Sequence, residues 1–159
     1  MLIYVLFEPL KVKEQQFVDV PLLKIDNFVM YELDKTGLQT LMSGTKALRY
    51  SNRYIVNDID FTDNSQLHIS NMLAKKGIYK NDIVDLVGDV VYTRDDGLIF
   101  KSPTLTYNTK SSIAQTQSKF VAHKGKNSMN GSSFVYDSLK ETMKSKNVAV
   151  KYQLKESNI

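Results

Sequence analysis

The chain has 159 residues, of which 42% are hydrophobic and 24% charged, and it carries a net charge of +4 with a pI near 9.1. That composition suits a single globular domain with a substantial core and excludes an intrinsically disordered chain. The absence of cysteine excludes a disulfide framework and thiolate chemistry, and the scattered lysines and arginines read as a solubilising surface.

Met1 to Phe7 (MLIYVLF) is unbroken apolar and stops at Glu8-Pro9. A membrane span needs about twenty such residues. The stretch therefore reads either as a first strand or chain end, or as the last turns of a membrane anchor. The abrupt change to KVKEQQ favours the anchor remnant. Lys11 to Lys24, with Pro21 inside it, reads as an extended linker. The chain accordingly divides into residues 1–24, anchor remnant and linker, and residues 25–156, a β-domain.

From there the pattern is one of strands. Phe28 and Met30 share one parity, and Val29, Tyr31 and Leu33 the other, before an Asp34-Lys35-Thr36-Gly37 turn. In the run from Tyr54 to Phe61, Ile55 and Ile59 share the parity of Phe61. Asp63-Asn64-Ser65 then turns the chain into Leu67, Ile69 and Leu73. Asn81 to Tyr107 is the clearest hairpin. Val84, Leu86, Val90 and Tyr92 alternate along its first arm, Asp95-Asp96-Gly97 turns, and Leu98-Ile99-Phe100 returns. Gly88 inside the first arm suggests a bulge or a close backbone approach, and Pro103 inside the second belongs at an edge or a bulge. Ser111 to Ala122 reads as one long polar strand, and Ser132 to Tyr136 as a short one. Leu139 to Lys144 has helical propensity, but the repeat described next makes it a strand. Asn147 to Leu154 alternates cleanly and forms the last strand.

The repeat is carried by tyrosines. Tyr50, Tyr79, Tyr107 and Tyr136 stand 29, 28 and 29 residues apart. Five positions before them stand Thr45, Ala74, Ser102 and Gly131; two positions before stand Leu48, Gly77, Leu105 and Phe134; a polar turn follows each. Stacked β-hairpins give such a period. With no long helical stripe, the fold class is all-β and antiparallel, about ten or more short strands in a sandwich or jelly-roll-like stack. Such a stack has open edges, and the last strand, with Lys151 as its single charge, suits the addition of a partner's strand.

Residues for catalysis are scarce. His68 and His123 lie far apart with no carboxylate close in sequence. Asp58, Asp60 and Asp63 form an acidic group that could be a calcium loop but reads better as a solvated turn. No phosphate loop, dinucleotide fingerprint or nucleophile elbow is present, and basic residues are not interleaved with aromatics as nucleic-acid binding requires. The chain reads as a non-enzyme without a cofactor or metal, and not as a nucleic-acid-binding protein. The expected inner face holds Phe28, Met30, Leu86, Val90, Tyr92, Leu98, Phe100, Phe134, Val148 and Val150. Small residues at Gly88, Ser102, Ala114 and Gly131 are expected to hold the sheets apart and leave a cleft for an apolar ligand. A plain sandwich core is the competing reading of each of these residues.

LVGDVVYTRDDGLIFKSPTLTYN, followed by SKF, NGSSFVYD and KSKNVAVKY, resembles the LptC/OstA-like proteins of lipopolysaccharide transport. NFVMYELDKTGLQTLMSGTKALRY and FTDNSQLHISNMLAKKGIY resemble the earlier part of the LptC pattern, so the likeness spans about Asn27 to Leu154. The resemblance implies an OstA/LptA-like β-jellyroll of two stacked sheets with open edges, on the periplasmic face of the inner membrane and held by a single-pass anchor. It implies that lipopolysaccharide arrives from the inner-membrane ABC transporter complex (LptB2FG) and passes to a periplasmic LptA-like bridge protein. The lipid A acyl chains would lie on Phe28, Met30, Leu86, Val90, Tyr92, Phe100, Phe134, Val148 and Val150. The receiving edge would be Asn27, Val29 and Tyr31, and the donating edge Asn147, Ala149, Lys151 and Gln153. A soluble LptA-like bridge protein and a structural β-domain with a filled core are the alternatives.

Overall fold

The structure, a computed structural model, describes residues 19–65 and 67–153. Met1–Phe7, most of the linker and the end of the last expected strand from Leu154 lie outside the described residues. Every element among the described residues is a strand: β1 (Leu23–Asp34), β2 (Gly37–Arg49), β3 (Tyr54–Asp63), β4 (Ser70–Lys80), β5 (Ile83–Arg94), β6 (Leu98–Asn108), β7 (Ile113–Thr116), β8 (Phe120–Lys124), β9 (Asn127–Gly131), β10 (Ser133–Asp137), β11 (Thr142–Lys146) and β12 (Ala149–Lys151). All pairings are antiparallel, and β1 to β6 follow one another as a meander.

The twelve strands are joined as one sheet that doubles over and forks, rather than as two separate sheets. The doubling follows a crease across the middle of the long strands. Register places Asn27, Thr45, Asp58, Lys75, Gly88-Asp89 and Pro103 side by side along it. Asn27 (φ 49°), Asp58 (φ 51°), Gly88 (φ 88°) and Asp89 (φ 46°) are left-handed there, a conformation that Gly, Asn and Asp adopt most readily. Thr45 Oγ1 donates to Asp58 Oδ2 at 2.7 Å, and Lys75 pairs with Asp89 at 3.0 Å. Gly88 is the bulge expected from the sequence. A Cβ there would stand 2.8 Å from the Lys75 Cβ. Pro103, which cannot donate, faces that bulge, where the β5–β6 register shifts.

The crease decides which residues face inward. Ile25 and Phe28, Val56 and Ile59, Ala74 and Gly77, and Ser102 and Leu105 are inward neighbours on either side of it. Each pair is three apart, so the inward parity flips. In β5 the bulge adds a residue, and Leu86 and Val90 stay in phase. Ile55, read from the sequence as sharing a face with Ile59 and Phe61, instead lies on the outer face between Leu48 and Ile78.

The fork lies at β6. Its first half, Leu98–Lys101, pairs with β8 and leads on to β9 and β12; its second half, Thr106–Asn108, pairs with β7 and leads on to β10 and β11. The expected single strand from Ser111 to Ala122 is therefore two strands in different layers. Hydroxyls fill the angle between them. Thr104 Oγ1 lies 2.8 Å from Ser118 Oγ and 3.1 Å from Thr116 Oγ1, and Ser102 Oγ lies 3.3 Å from Thr116 Oγ1. The two branches meet face to face through Phe134 of β10. Its ring centroid is 5.1 Å from that of Phe100 in β6 and 5.2 Å from that of Phe120 in β8, although β10 pairs with neither strand. The last two strands are shorter than expected. Leu139 belongs to a turn, β11 begins at Thr142, and β12 spans only Ala149–Lys151, so Asn147 and Gln153 flank it.

Candidate functional site: an apolar row between two open edges

Directly paired residues on neighbouring antiparallel strands point to the same face. In the layer above the crease, Met30 of β1 faces Met42, Met42 faces Phe61, and Phe61 faces Met72. Met72 faces Tyr92, which faces Phe100. Phe100 faces Ala122, Ala122 faces Met129, and Met129 faces Val150 of β12. One unbroken inward row thus runs from the first edge strand to the last, roughly 40 Å at the usual spacing between strands. Four of its members are methionines, whose unbranched, polarizable side chains adapt to the shape of what they touch.

The expected inner-face residues divide accordingly. Phe28, Met30, Leu86, Val90 and Phe100 are buried in the core, and Tyr92 and Phe134 lie against it. Val150 shares the inward face of Met129 but is 63% exposed, as β12 pairs only with β9 among the described residues. Val148 precedes β12 and is also exposed. The two valines are therefore not core residues.

The small residues do not leave the cleft expected of them. A Cβ on Gly131 would stand 2.8 Å from the Phe120 ring, and one on Gly44 would stand 2.9 Å from the Phe28 ring. Each glycine makes room for a neighbouring phenylalanine, so at these two positions the small residue is filled by a ring rather than left as a gap. Ser102 is buried in the angle of the fork, and Gly88 belongs to the crease.

Both lateral ends of the row are open. Among the described residues β1 has a partner on one side only, and its outward side chains Val29, Tyr31 and Leu33 are more than half exposed. Asn27 is a crease residue of the same strand. At the other end the sheet finishes in two strands, β11 in one layer and β12 in the other. Ala149 and Lys151 lie in β12 and are exposed. Asn147 (φ 52°) donates through Nδ2 to Ser132 Oγ, and the Gln153 amide donates to Asn127 Oδ1. The expected donating edge is thus half of a double edge, the other half being β11, which the sequence reading had not counted.

Charged groups hold the turns at the far side of this layer. Asp96 takes two hydrogen bonds from Arg94, at 2.8 and 2.6 Å, and pairs with Lys124 at 3.2 Å. Arg94 is the main cause, with Lys124 and the Leu98 amide adding to it, of a carboxyl held far below its ordinary range. His68 Nδ1 lies 2.8 Å from Asp95 Oδ1, a partner 27 residues away that sequence proximity could not disclose. On the outer side of the crease a shallow hollow of about 500 Å³ is lined in part by Asp58, Asp60, Lys75 and Asp89. Asp58 accepts from Thr45 and Asp60 from Asn71. Among the described residues no group of three or more His, Cys, Asp or Glu side chains could hold a metal ion.

The arrangement is an apolar row that ends, among the described residues, at strands paired on one side only. Residues 1–153 match the family described as lipopolysaccharide-assembly, LptC-related. Among solved structures the chain is similar to LptH of Pseudomonas aeruginosa, described as the LptA homologous periplasmic component of the conserved lipopolysaccharide transport device. The TM-score is 0.53 at 14% identity, over 82% of this chain and 94% of that chain. No curated protein matches the chain.

Proposed function

The chain belongs to the LptC-related family of lipopolysaccharide-assembly proteins, and from that premise we propose that it receives lipopolysaccharide from the inner-membrane ABC transporter and passes it to a periplasmic LptA-like bridge protein. The observation that carries this reading is the apolar row from Met30 to Val150, continuous between two sheet edges that are uncovered among the described residues. Acyl chains in water lose about 0.8 kcal/mol for every CH₂ left unburied. A row of adaptable side chains lets them stay buried while they move. In this reading the transporter's strand adds to β1, the bridge's strands add to β11 and β12, and the energy for movement comes from the transporter. In this reading the protein works at the periplasmic face of the inner membrane. Among the described residues no helix is long and apolar enough to cross a membrane.

The contacts of Phe134 with Phe100 and Phe120 favour a second reading, a structural β-domain whose core is simply filled. A photo-crosslinking residue at Tyr92 or Phe134, with Asp89 as the outward control, separates the two. Lipopolysaccharide adducts at the inward sites and none at Asp89 are expected after irradiation in Gram-negative cells. Folded protein without adducts at either inward site would exclude transport through this row. The same probe at Tyr31 and at Lys151 is expected to trap the transporter and the bridge protein respectively.

A further inference from the structure

The tyrosine repeat has a place in the fold that the apolar row does not account for. In the layer below the crease, Arg49 faces Tyr54, Tyr54 faces Tyr79, and Tyr79 faces Val84. Val84 faces Tyr107, Tyr107 faces Ala114, and Ala114 faces Tyr136. This second inward row lies farthest from the crease, so it forms one lip of the opening between the layers. The other lip is the corresponding row of the facing layer, which includes Asp63, Ser70, Arg94 and Lys124. Tyr107 and Tyr136 are each 37% exposed, while Val84 and Ala114 beside them lie against the core.

We propose that this tyrosine lip is a second subsite of the same groove, a lane for the phosphosaccharide head of lipopolysaccharide. The proposal rests on the transport reading above. A tyrosine ring offers an apolar surface to a sugar face, and its hydroxyl bonds to sugar hydroxyls and phosphate oxygens. Tyr79 stacks on Tyr54 and donates its hydroxyl to Asp82 at 3.5 Å, whereas the more exposed Tyr107 and Tyr136 stand on alternate strands, roughly 10 Å apart. A head that leaves one finds the same contacts at the next, which keeps each step nearly level in energy. The acyl row alone would leave the polar head without matched contacts as it moves.

The test compares two probes, a rough lipopolysaccharide and a fluorescent fatty acid, on the folded chain and on two double variants. In Tyr107→Ala/Tyr136→Ala, lipopolysaccharide affinity is expected to fall about tenfold while fatty-acid affinity changes less than about twofold. Tyr107→Phe/Tyr136→Phe keeps ring and volume, and is expected to lie between that variant and the unaltered chain for lipopolysaccharide. Unchanged lipopolysaccharide affinity in the alanine variant, or an equal loss for both probes, overturns the lane. Failure of the unaltered chain to bind lipopolysaccharide would instead remove the transport reading beneath it.

Discussion

Gly131 shows how closely single residues are fitted to this fold. A Cβ there would stand 2.7 Å from Ser145 Oγ, 2.8 Å from the Phe120 ring and 3.0 Å from the Lys146 carbonyl oxygen. Two of those neighbours are held in place. The Phe120 ring stacks on Phe100, and the Lys146 carbonyl accepts from the Ser132 amide. Gly131→Ala is therefore expected to destabilise the protein by about 1–3 kcal/mol, read from the urea midpoint. The small residue five positions before each repeat tyrosine was visible in the sequence; its purpose was not. For Gly131 that purpose is the Phe120 ring on the next strand, and no spacing along one chain says which strand is next.

At the scale of elements, the crease governs each long strand. Asp58 must be left-handed, and its carboxylate accepts from Thr45. A β-branched residue adopts that conformation poorly, whereas glycine adopts it freely. Asp58→Val is expected to lower stability by about 2–3 kcal/mol, and Asp58→Gly by about 1 kcal/mol or less, the hydrogen bond being the main loss. Equal effects in urea denaturation would mean that the backbone conformation is not the constraint. The crease also accounts for the repeat. Ala74 and Gly77, or Ser102 and Leu105, face inward across it although three residues separate them, because the strand changes face between them. The first unit is displaced by one. Gly44, Ala47 and Arg49 occupy the positions that Thr45, Leu48 and Tyr50 were expected to hold, and Tyr50 instead lies under the Arg53 guanidinium, 3.9 Å from the ring centroid. Counting tyrosines thus found the hairpin units and their turns, but not the register of the first.

Over the whole molecule, burial falls away toward the last strands. β3 to β6 supply buried residues to the core, whereas β12 is exposed throughout and β11 nearly so. Amides of β11 and β12 are therefore expected to exchange with deuterated solvent well before those of β3 to β5, which pair on both sides. Adding an LptA-like bridge protein is expected to slow exchange in β11 and β12 and leave β3 to β5 unchanged. Protection gained elsewhere but not at these two strands would move the donating edge away from them. Both branches of the fork end there, so a partner that continues the jellyroll must meet two strands in two layers.

Much of this was settled by local chemistry. Period-two alternation, Asp-Gly and other polar turns, and the absence of a helical stripe determined an antiparallel all-β fold. Backbone constraints on single residues put Gly88 at a bulge or a close backbone approach and Pro103 at an edge or a bulge. The residues from Asn27 to Leu154 were enough to point to the LptC/OstA-like family. Tertiary structure alone decided which residues share a face. Parity holds only while a strand is straight, and a left-handed residue or an inserted one resets it without changing the composition around it. Ile55 on the outer face, the methionine row, the pairing of His68 with Asp95, and the division of one expected strand into β7 and β8 all follow from that doubling of the sheet. Each joins residues whose distance in space is fixed by the crease and the fork, not by their distance along the chain.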